Sequence, residues 1–285
     1  MFRFIAVLWF LLWSSFSTAA PLKVVVTLAP QKMLVERIGQ QEVNVTVLAG
    51  NQDPHHFEPT PSQIAAASQA QLLFRAGYGF EGAFIQRLQA KNRALVVLDA
   101  RQGITLRRNE EALTLGGHAH DEHEDEVHDL HLWTDPQLLK RMAAQVRDAL
   151  TQQLPKQSKL FASNYQNLAE SLDQLDRELQ IQLKPVAGKS FLVFHPTWGY
   201  FADRYHLKQV AIEFDGKEPT VKQLQQILHY AQQANVKVIF VQPQFSQRSA
   251  RTLAQRLNAK VLTLDPLAED VMTTLRQAGD AFAKA

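Results

Sequence analysis

Cysteine is absent from this chain of 285 residues. No disulfide can form, although an exported protein would be permitted one, and no thiol is available for lipid attachment behind a leader. Charge of one sign is lacking too. The 30 Lys and Arg nearly cancel the 28 Asp and Glu, giving +2 with histidine neutral. That balance excludes the basic face or tail of a nucleic-acid binder. Neither an HExxH nor a GxSxG pattern occurs, so the usual signs of a zinc protease or a serine hydrolase are missing. Long apolar runs are lacking except for FIAVLWFLLW near the start, which falls short of the roughly 20 residues that cross a bilayer.

That run follows Met1-Phe2-Arg3 and precedes SSFSTAA, with Thr18 and Ala20 where a signal peptidase reads small residues. Residues 1–20 are therefore expected to form a cleaved secretory signal. Arg3 is the one charged residue among them, which leaves the mature chain at +1. The mature protein is expected to be soluble and monomeric, without a membrane anchor, in a Gram-negative periplasm.

Hydrophobic residues make up 46% of the chain, enough for one large core or two moderate ones. KVVVTLA (23–29) reads as a buried strand, and Pro30 opens a helical pattern through Met33, Leu34 and Ile38 that stops at Gly39. VNVTVLA (43–49) is a second strand, SQIAAASQAQLLF a helix leading into a third, and ALVVLDA (94–100) a fourth. Strands alternating with helices at this spacing predict βαβ units and a mainly parallel sheet. The pattern breaks at 107–130, where His, Asp and Glu crowd a stretch without apolar period. This segment is expected to be a mobile loop.

Phe161, Tyr165, Leu168, Leu172, Leu175 and Leu179 then recur at steps of four and three, on one stripe of a helix from about Pro155 to Leu183. Such a helix would be roughly 42 Å long. A coiled-coil dimer seam would give the same stripe. A connecting helix is preferred because the α/β pattern resumes directly after it, with strands at 189–194, 236–242 and 259–265 and helices at 221–234 and 249–258. The expected architecture is α/β: a lobe at 21–154, a connecting helix at 155–185 and a second lobe at 186–285, each lobe a mainly parallel sheet flanked by helices.

Against this frame the ten histidines are the compositional oddity. His55 lies in DPHHFEP just after the strand 43–49, His131 in DLHLWTDP just before a helical segment, and His195 in FLVFHPTWGYF at a strand end. Asp265 closes VLTLD before Pro266. Ligands of open α/β sheets bind beyond the carboxyl ends of strands. Each residue also has a plain alternative: a hydrogen-bonded structural histidine, or an Asp that serves a turn or helix cap. His118, His120, His123 and His128 fall in GGHAHDEHEDEVHD, which has the composition of a metal-binding tract or of a solvated loop. His56, His206 and His229 occupy ordinary positions.

The ordered motifs KVVVTLAP, DPHHFEPTPSQ, DLHLWTDPQ, FHPTWGYFADRY, EFDGKEPTVKQLQQI and LTLDPLA resemble those of the solute-binding proteins of zinc and manganese ABC transporters, over essentially the whole mature chain. The resemblance implies two α/β lobes bridged by one long helix, with metal in the cleft between them and a membrane permease as partner. It implies that His55, opening H-x-F-x-P, His131, opening H-x-W-x-x-P, His195, before the aromatic GYF turn, and Asp265 are the metal ligands. Manganese-type members carry a carboxylate at the position of His195, and three imidazoles suit zinc better than manganese. Zinc-type members often carry a similar histidine-rich insertion, here expected to collect zinc weakly. A cysteine pair known in the second lobe of one zinc member has no counterpart here. The implied function is high-affinity capture of Zn²⁺ and delivery to the permease, with no catalysis. The alternatives are a secreted zinc hydrolase with water as fourth ligand, or a manganese- or iron-binding member of the same family. Binding through neutral imidazoles predicts affinity that drops below about pH 6.5.

Overall fold

The computed structural model describes residues 20–109, 128–213 and 217–284. The expected leader, and His118, His120 and His123 of the histidine-rich tract, lie outside the described residues. Two four-stranded sheets, parallel throughout, organise the rest. The first contains β1 (Leu22–Val26), β2 (Val43–Val47), β3 (Leu72–Arg75) and β4 (Val96–Asp99), in the order β2-β1-β3-β4. The second contains β5 (Ser190–Val193), β6 (Lys208–Ala211), β7 (Val238–Val241) and β8 (Lys260–Thr263), in the order β6-β5-β7-β8. Both sheets thus wind identically although no sequence repeat is visible between the halves.

The strands are shorter than their apolar runs because polar side chains turn the chain away. β1 stops at Val26 since the next two amides, of Thr27 and Leu28, donate to Gln31 Oε1 at 3.0 Å each, and that contact starts α1 (Ala29–Gly39). The remaining helices are α2 (Pro61–Ala67), α3 (Gly79–Lys91), α4 (Pro136–Gln153), α5 (Ser158–Leu183), α6 (Gly199–Arg204), α7 (Val221–Gln233), α8 (Arg248–Leu257) and α9 (Val271–Ala283). Among the elements without a counterpart in the sequence pattern are α3 and β6. In α3 the apolar stripe of Phe84, Ile85 and Leu88 is masked by two glycines and a buried Glu81. In β6 the apolar run is broken by Gln209, buried because its Oε1 accepts the Trp198 amide at 2.7 Å.

The long helix is α5, 26 residues. Phe161, Leu168, Leu172, Leu175 and Leu179 of its stripe are buried, and Tyr165 lies half-buried beneath the Arg147 guanidinium, 4.4 Å from the ring centre. α1, α4 and α9 cover the stripe, so it offers no apolar seam to a second copy.

The second sheet shows what joins the two lobes. Successive side chains of a strand point to opposite faces. Phe191, Val193, Val238 and Phe240 enter the large core shared with α5, Phe282 of α9 and the first lobe. Leu192, Phe194, Ile239 and Val241 face the other way, into a smaller core with Ile227 and Leu253 of α7 and α8. The large core runs without interruption from β1 to α9. Swinging the lobes apart as rigid halves would expose such side chains at about 1.5–3 kcal/mol each, so closure around a ligand is a matter of loops more than of lobes.

Candidate metal centre

Three loops build the site, two of them at the carboxyl ends of strands. Beyond β2 the ladder continues through the Leu48 and Ala49 amides to the carbonyls of Val26 and Thr27. The chain then turns at Pro54–His56, a single 3₁₀ turn capped by Asp53, whose Oδ1 accepts the His55 amide at 3.0 Å. His131 precedes a 3₁₀ turn, Leu132–Thr134, that leads into α4. Asp129 fixes it twice, accepting its amide at 2.9 Å and pairing with its Nδ1 at 2.8 Å, both through Oδ1. His195 follows β5, a central strand, at the point where the strand order reverses. Its carbonyl accepts from Gln242 Nε2, its amide donates to Gln242 Oε1 at 3.3 Å, and its Nδ1 pairs with Glu213 Oε1 at 2.6 Å.

These loops bring one ring nitrogen each of His55, His131 and His195 within 4.8 Å of one another. A tetrahedral zinc with Zn–N of about 2.0–2.1 Å holds its nitrogens roughly 3.4 Å apart. The widest pair would then draw in by at most roughly 1.4 Å, within the reach of side-chain rotation. Carboxylates occupy Nδ1 of His131 and of His195, which sets Nε2 as the lone-pair donor on each ring and holds the rings in place. His195 Nε2 is buried and has no hydrogen-bond partner, an expensive state for a polar atom unless an electron-pair acceptor belongs there.

His55 retains exposed surface, but its ring is hemmed in by Tyr78, His131 and His195 at centroid distances of 5.0, 6.0 and 5.1 Å. Desolvation first, then repulsion by the other two imidazoles, pulls its pKa down to about 3. His55 therefore stays neutral and ready to donate far below the pH at which a free histidine would charge. Asp53 beside it meets opposing effects: burial raises its pKa, while the hydrogen bonds from His56 and the His55 amide outweigh burial and leave it lowered.

Asp265 does not join the histidine trio. Its Oδ1 accepts Gln244 Nε2 and the Leu267 amide, each at 3.0 Å, which is the turn role that an Asp before Pro commonly takes. His128 sits in an isolated antiparallel bridge with Arg108, away from the trio. His56 is exposed and pairs with Asp53, and His229 contacts Gln233 on α7. Sequence reading gave no role to Asp129, Glu213, Gln242 or Gln244. Asp129 stands two residues before His131 and was within reach of inspection. Glu213 is 18 residues from His195, and only recognition of β6 as the strand beside β5 would have brought it near.

Gly199, the first residue of α6, presses against this support. A Cβ there would lie 2.5 Å from Asp129 Oδ2 and 2.6 Å from Arg107 Nη1. Asp129 is buried and cannot step aside without moving His131. Gly199→Ala is expected to weaken metal binding about 10–100-fold, the usual cost of disturbing a carboxylate behind a ligating histidine. Chelator competition measures this, and an unchanged affinity would show that Asp129 is not holding the ring.

Comparisons with known proteins place the chain in a family. The family described as "ZnuA: Zinc-uptake complex component A periplasmic" matches residues 24–284. A solved structure described as the crystal structure of ZnuA superposes with a TM-score of 0.83 at 34% identity, covering 93% of this chain and 99% of that one. A high-affinity zinc uptake system protein ZnuA from Brucella abortus (strain 2308) is 32% identical over 147 residues, 50% of this chain and 44% of that protein. A putative metal-binding protein from Treponema pallidum (strain Nichols) is 28% identical over 251 residues, 85% of this chain and 78% of that protein. Matched from its first strand to its last helix, the chain belongs to the family of periplasmic zinc-uptake complex components A.

Proposed function

We propose that this protein captures Zn²⁺ in the periplasm, as a monomer, and delivers it to the membrane permease of an ABC transporter. The observation that carries the reading is the meeting of His55, His131 and His195, two from the first lobe and one from the second, with nitrogens within 4.8 Å. Neutral imidazoles are preferred zinc donors, whereas manganese favours oxygen. Similarity to a high-affinity zinc uptake system protein supports the same cargo. Among the described residues no helix is long and apolar enough to cross a membrane.

Capture is proposed over catalysis. A catalytic zinc keeps an open position and a base beside it. Asp53, the carboxylate lining this cavity, has both oxygens engaged, Oδ1 by the His55 amide and Oδ2 by His56 Nδ1 at 2.7 Å. A zinc hydrolase would show zinc-dependent cleavage of a test ester, and none is expected.

The histidine-rich tract is proposed to collect zinc weakly ahead of the cleft. At its end His128 bridges to Arg108 and Asp129 holds His131, so a deletion that tests the tract must stop at 127. Titration of metal-stripped protein with zinc against manganese tests the whole reading. One tight zinc site is expected, with manganese weaker by at least about tenfold, the increment that separates donor preferences of this kind. The chain lacking 117–127 is expected to keep that site and lose weaker zinc equivalents. Equal affinity for the two metals would overturn the assignment to zinc.

A further inference from the structure

The small cavity beside the trio is lined by Asp53, Thr197, Gln242 and Gln244 as well as the three histidines. Its oxygen atoms differ sharply in how they are used. Both carboxylate oxygens of Asp53 are engaged. Gln242 is spent at both ends of its amide on His195 and Thr197, and Thr197 Oγ1 accepts from it at 2.9 Å. Gln244 Oε1 alone among these side-chain oxygens is buried with no hydrogen-bond partner. The second buried, unpartnered atom of the cavity is His195 Nε2.

Amide oxygen and nitrogen are often interchangeable in a side chain, but not here. Asp265 Oδ1 takes a hydrogen bond from the Gln244 amide, and an ionised carboxylate can only accept. The NH₂ end of Gln244 must therefore face Asp265, and its carbonyl oxygen must face away. Two orphaned lone pairs, on Gln244 and on His195, then line one cavity. A hydrogen-bond acceptor could satisfy neither of them. A cation satisfies both.

We infer that Gln244 Oε1 is the fourth zinc donor, and that Asp265 acts through Gln244 as a positioning residue instead of binding the ion itself. The inference rests on the three-histidine reading above and completes its coordination shell. Four neutral donors leave the charge of the ion to carboxylates one hydrogen bond further out: Glu213 behind His195, Asp129 behind His131, and Asp265 behind Gln244. The same arrangement, a neutral donor oriented by a carboxylate, is thus repeated around the site.

Zinc alone, titrated into the metal-stripped full chain against a chelator, tests this. Gln244→Met, close in volume but without the oxygen, is expected to weaken binding at least about tenfold. Asp265→Asn keeps an Oδ1 that can accept both Gln244 Nε2 and the Leu267 amide but removes one of the carboxylate charges behind the site, and is expected to weaken binding less than Gln244→Met does. Asp265→Ala frees Gln244 and is expected to weaken binding, with no further loss when combined with Gln244→Met. X-ray absorption of the zinc-loaded parent should show three nitrogens and one oxygen. Gln244→Met binding as tightly as the parent would overturn the inference, and so would Asp265→Asn losing more than Gln244→Met, the result of direct ligation by Asp265. His195→Ala separates the two levels of the argument. Should it bind zinc as the parent does, the three-histidine reading fails. Should it lose zinc while Gln244→Met does not, only the fourth donor is wrong.

Discussion

His195→Ala is expected to lower zinc affinity by at least about 1,000-fold, well beyond the 10–100-fold that follows loss of a partner behind a ligand. On the free-energy scale this is about 4 kcal/mol or more. The reason is positional as well as chemical. His55 and His131 both hang from loops of the first lobe, and His195 is the single imidazole of the trio supplied by the second. Two imidazoles on one side of a cleft do not enclose an ion. Removing His195 also leaves Glu213 buried without the hydrogen-bond donor that Nδ1 provides at 2.6 Å, which costs about 1–3 kcal/mol of fold stability. Melting temperature must therefore be followed beside affinity, with titrations made well below the melt. His229→Ala, on α7 with its ring paired with Gln233, serves as the control and should bind as the parent does. A His195→Ala protein that is folded and still binds zinc within about tenfold of the parent, one order of the scale, would remove the second lobe from the site.

How the pH axis enters is less simple than the sequence implied. A free histidine titrates near 6.5, so loss of affinity is expected from there downward. His55 does not share in this: neutral down to about 3, it offers no proton competition over most of that range. A histidine whose folded pKa is depressed takes up its proton in the unfolded chain first. Stability that is intact above about 6.5 thus declines as pH falls toward 3. Acid therefore works on His55 by favouring unfolding before it blocks the ligand.

The positions of His55, His131 and His195 were legible because each lies in a local motif, next to a strand end or a helix start, and local motifs survive in a linear reading. Asp265 was legible as a conspicuous residue, but its partner was not: an Asp before Pro reads equally as ligand or turn, and Gln244, which donates to its Oδ1, sits 21 residues away on the loop after β7. Glu213 was hidden for the same reason. Hydrogen bonds between side chains on neighbouring strands leave no periodic trace. The two lobes and the long helix followed from apolar spacing. What spacing could not reveal is that alternate residues of β5 and β7 divide between two cores, so that one face of the second sheet belongs to the same packed interior as the first lobe.

That shared interior contains a charged junction at Asp176, and breaking it is expected to have the largest effect on stability. Asp176 of α5 is buried and ion-paired to Arg204 of α6, with Arg204 Nε at 2.5 Å from Oδ1. Tyr205 donates to the same carboxylate at 3.0 Å, Gln180 at 3.1 Å and Gln137 of α4 at 3.3 Å. One side chain thus ties the connecting helix to an element of each lobe. Burial works to raise the pKa of Asp176, but the Arg204 guanidinium and the hydroxyl and amide donors outweigh it, and the net shift is downward. Asp176→Ala strands a half-buried guanidinium, the Tyr205 hydroxyl and the Gln180 amide, while Gln137 keeps its bond to Asp173. Removal of one member of a buried pair costs about 3–5 kcal/mol, and Asp135 Oδ1, 3.5 Å from Arg204 Nε, offers partial relief that favours the lower end. For a chain of this size the melting temperature should fall by about 6–12 °C. Asp176→Asn should fall less, since the hydrogen bonds to Oδ1 persist. The pH profile distinguishes a lost ion pair from simple misfolding. A depressed carboxylate contributes stability above its ordinary pKa of 3.8 and loses it as pH falls through the folded value. The parent should therefore converge on the Asp176→Ala variant in strong acid, while the gap between them stays constant above about pH 5. A gap that persisted undiminished into strong acid would mean that packing, and not the charge on Asp176, locks the two lobes together.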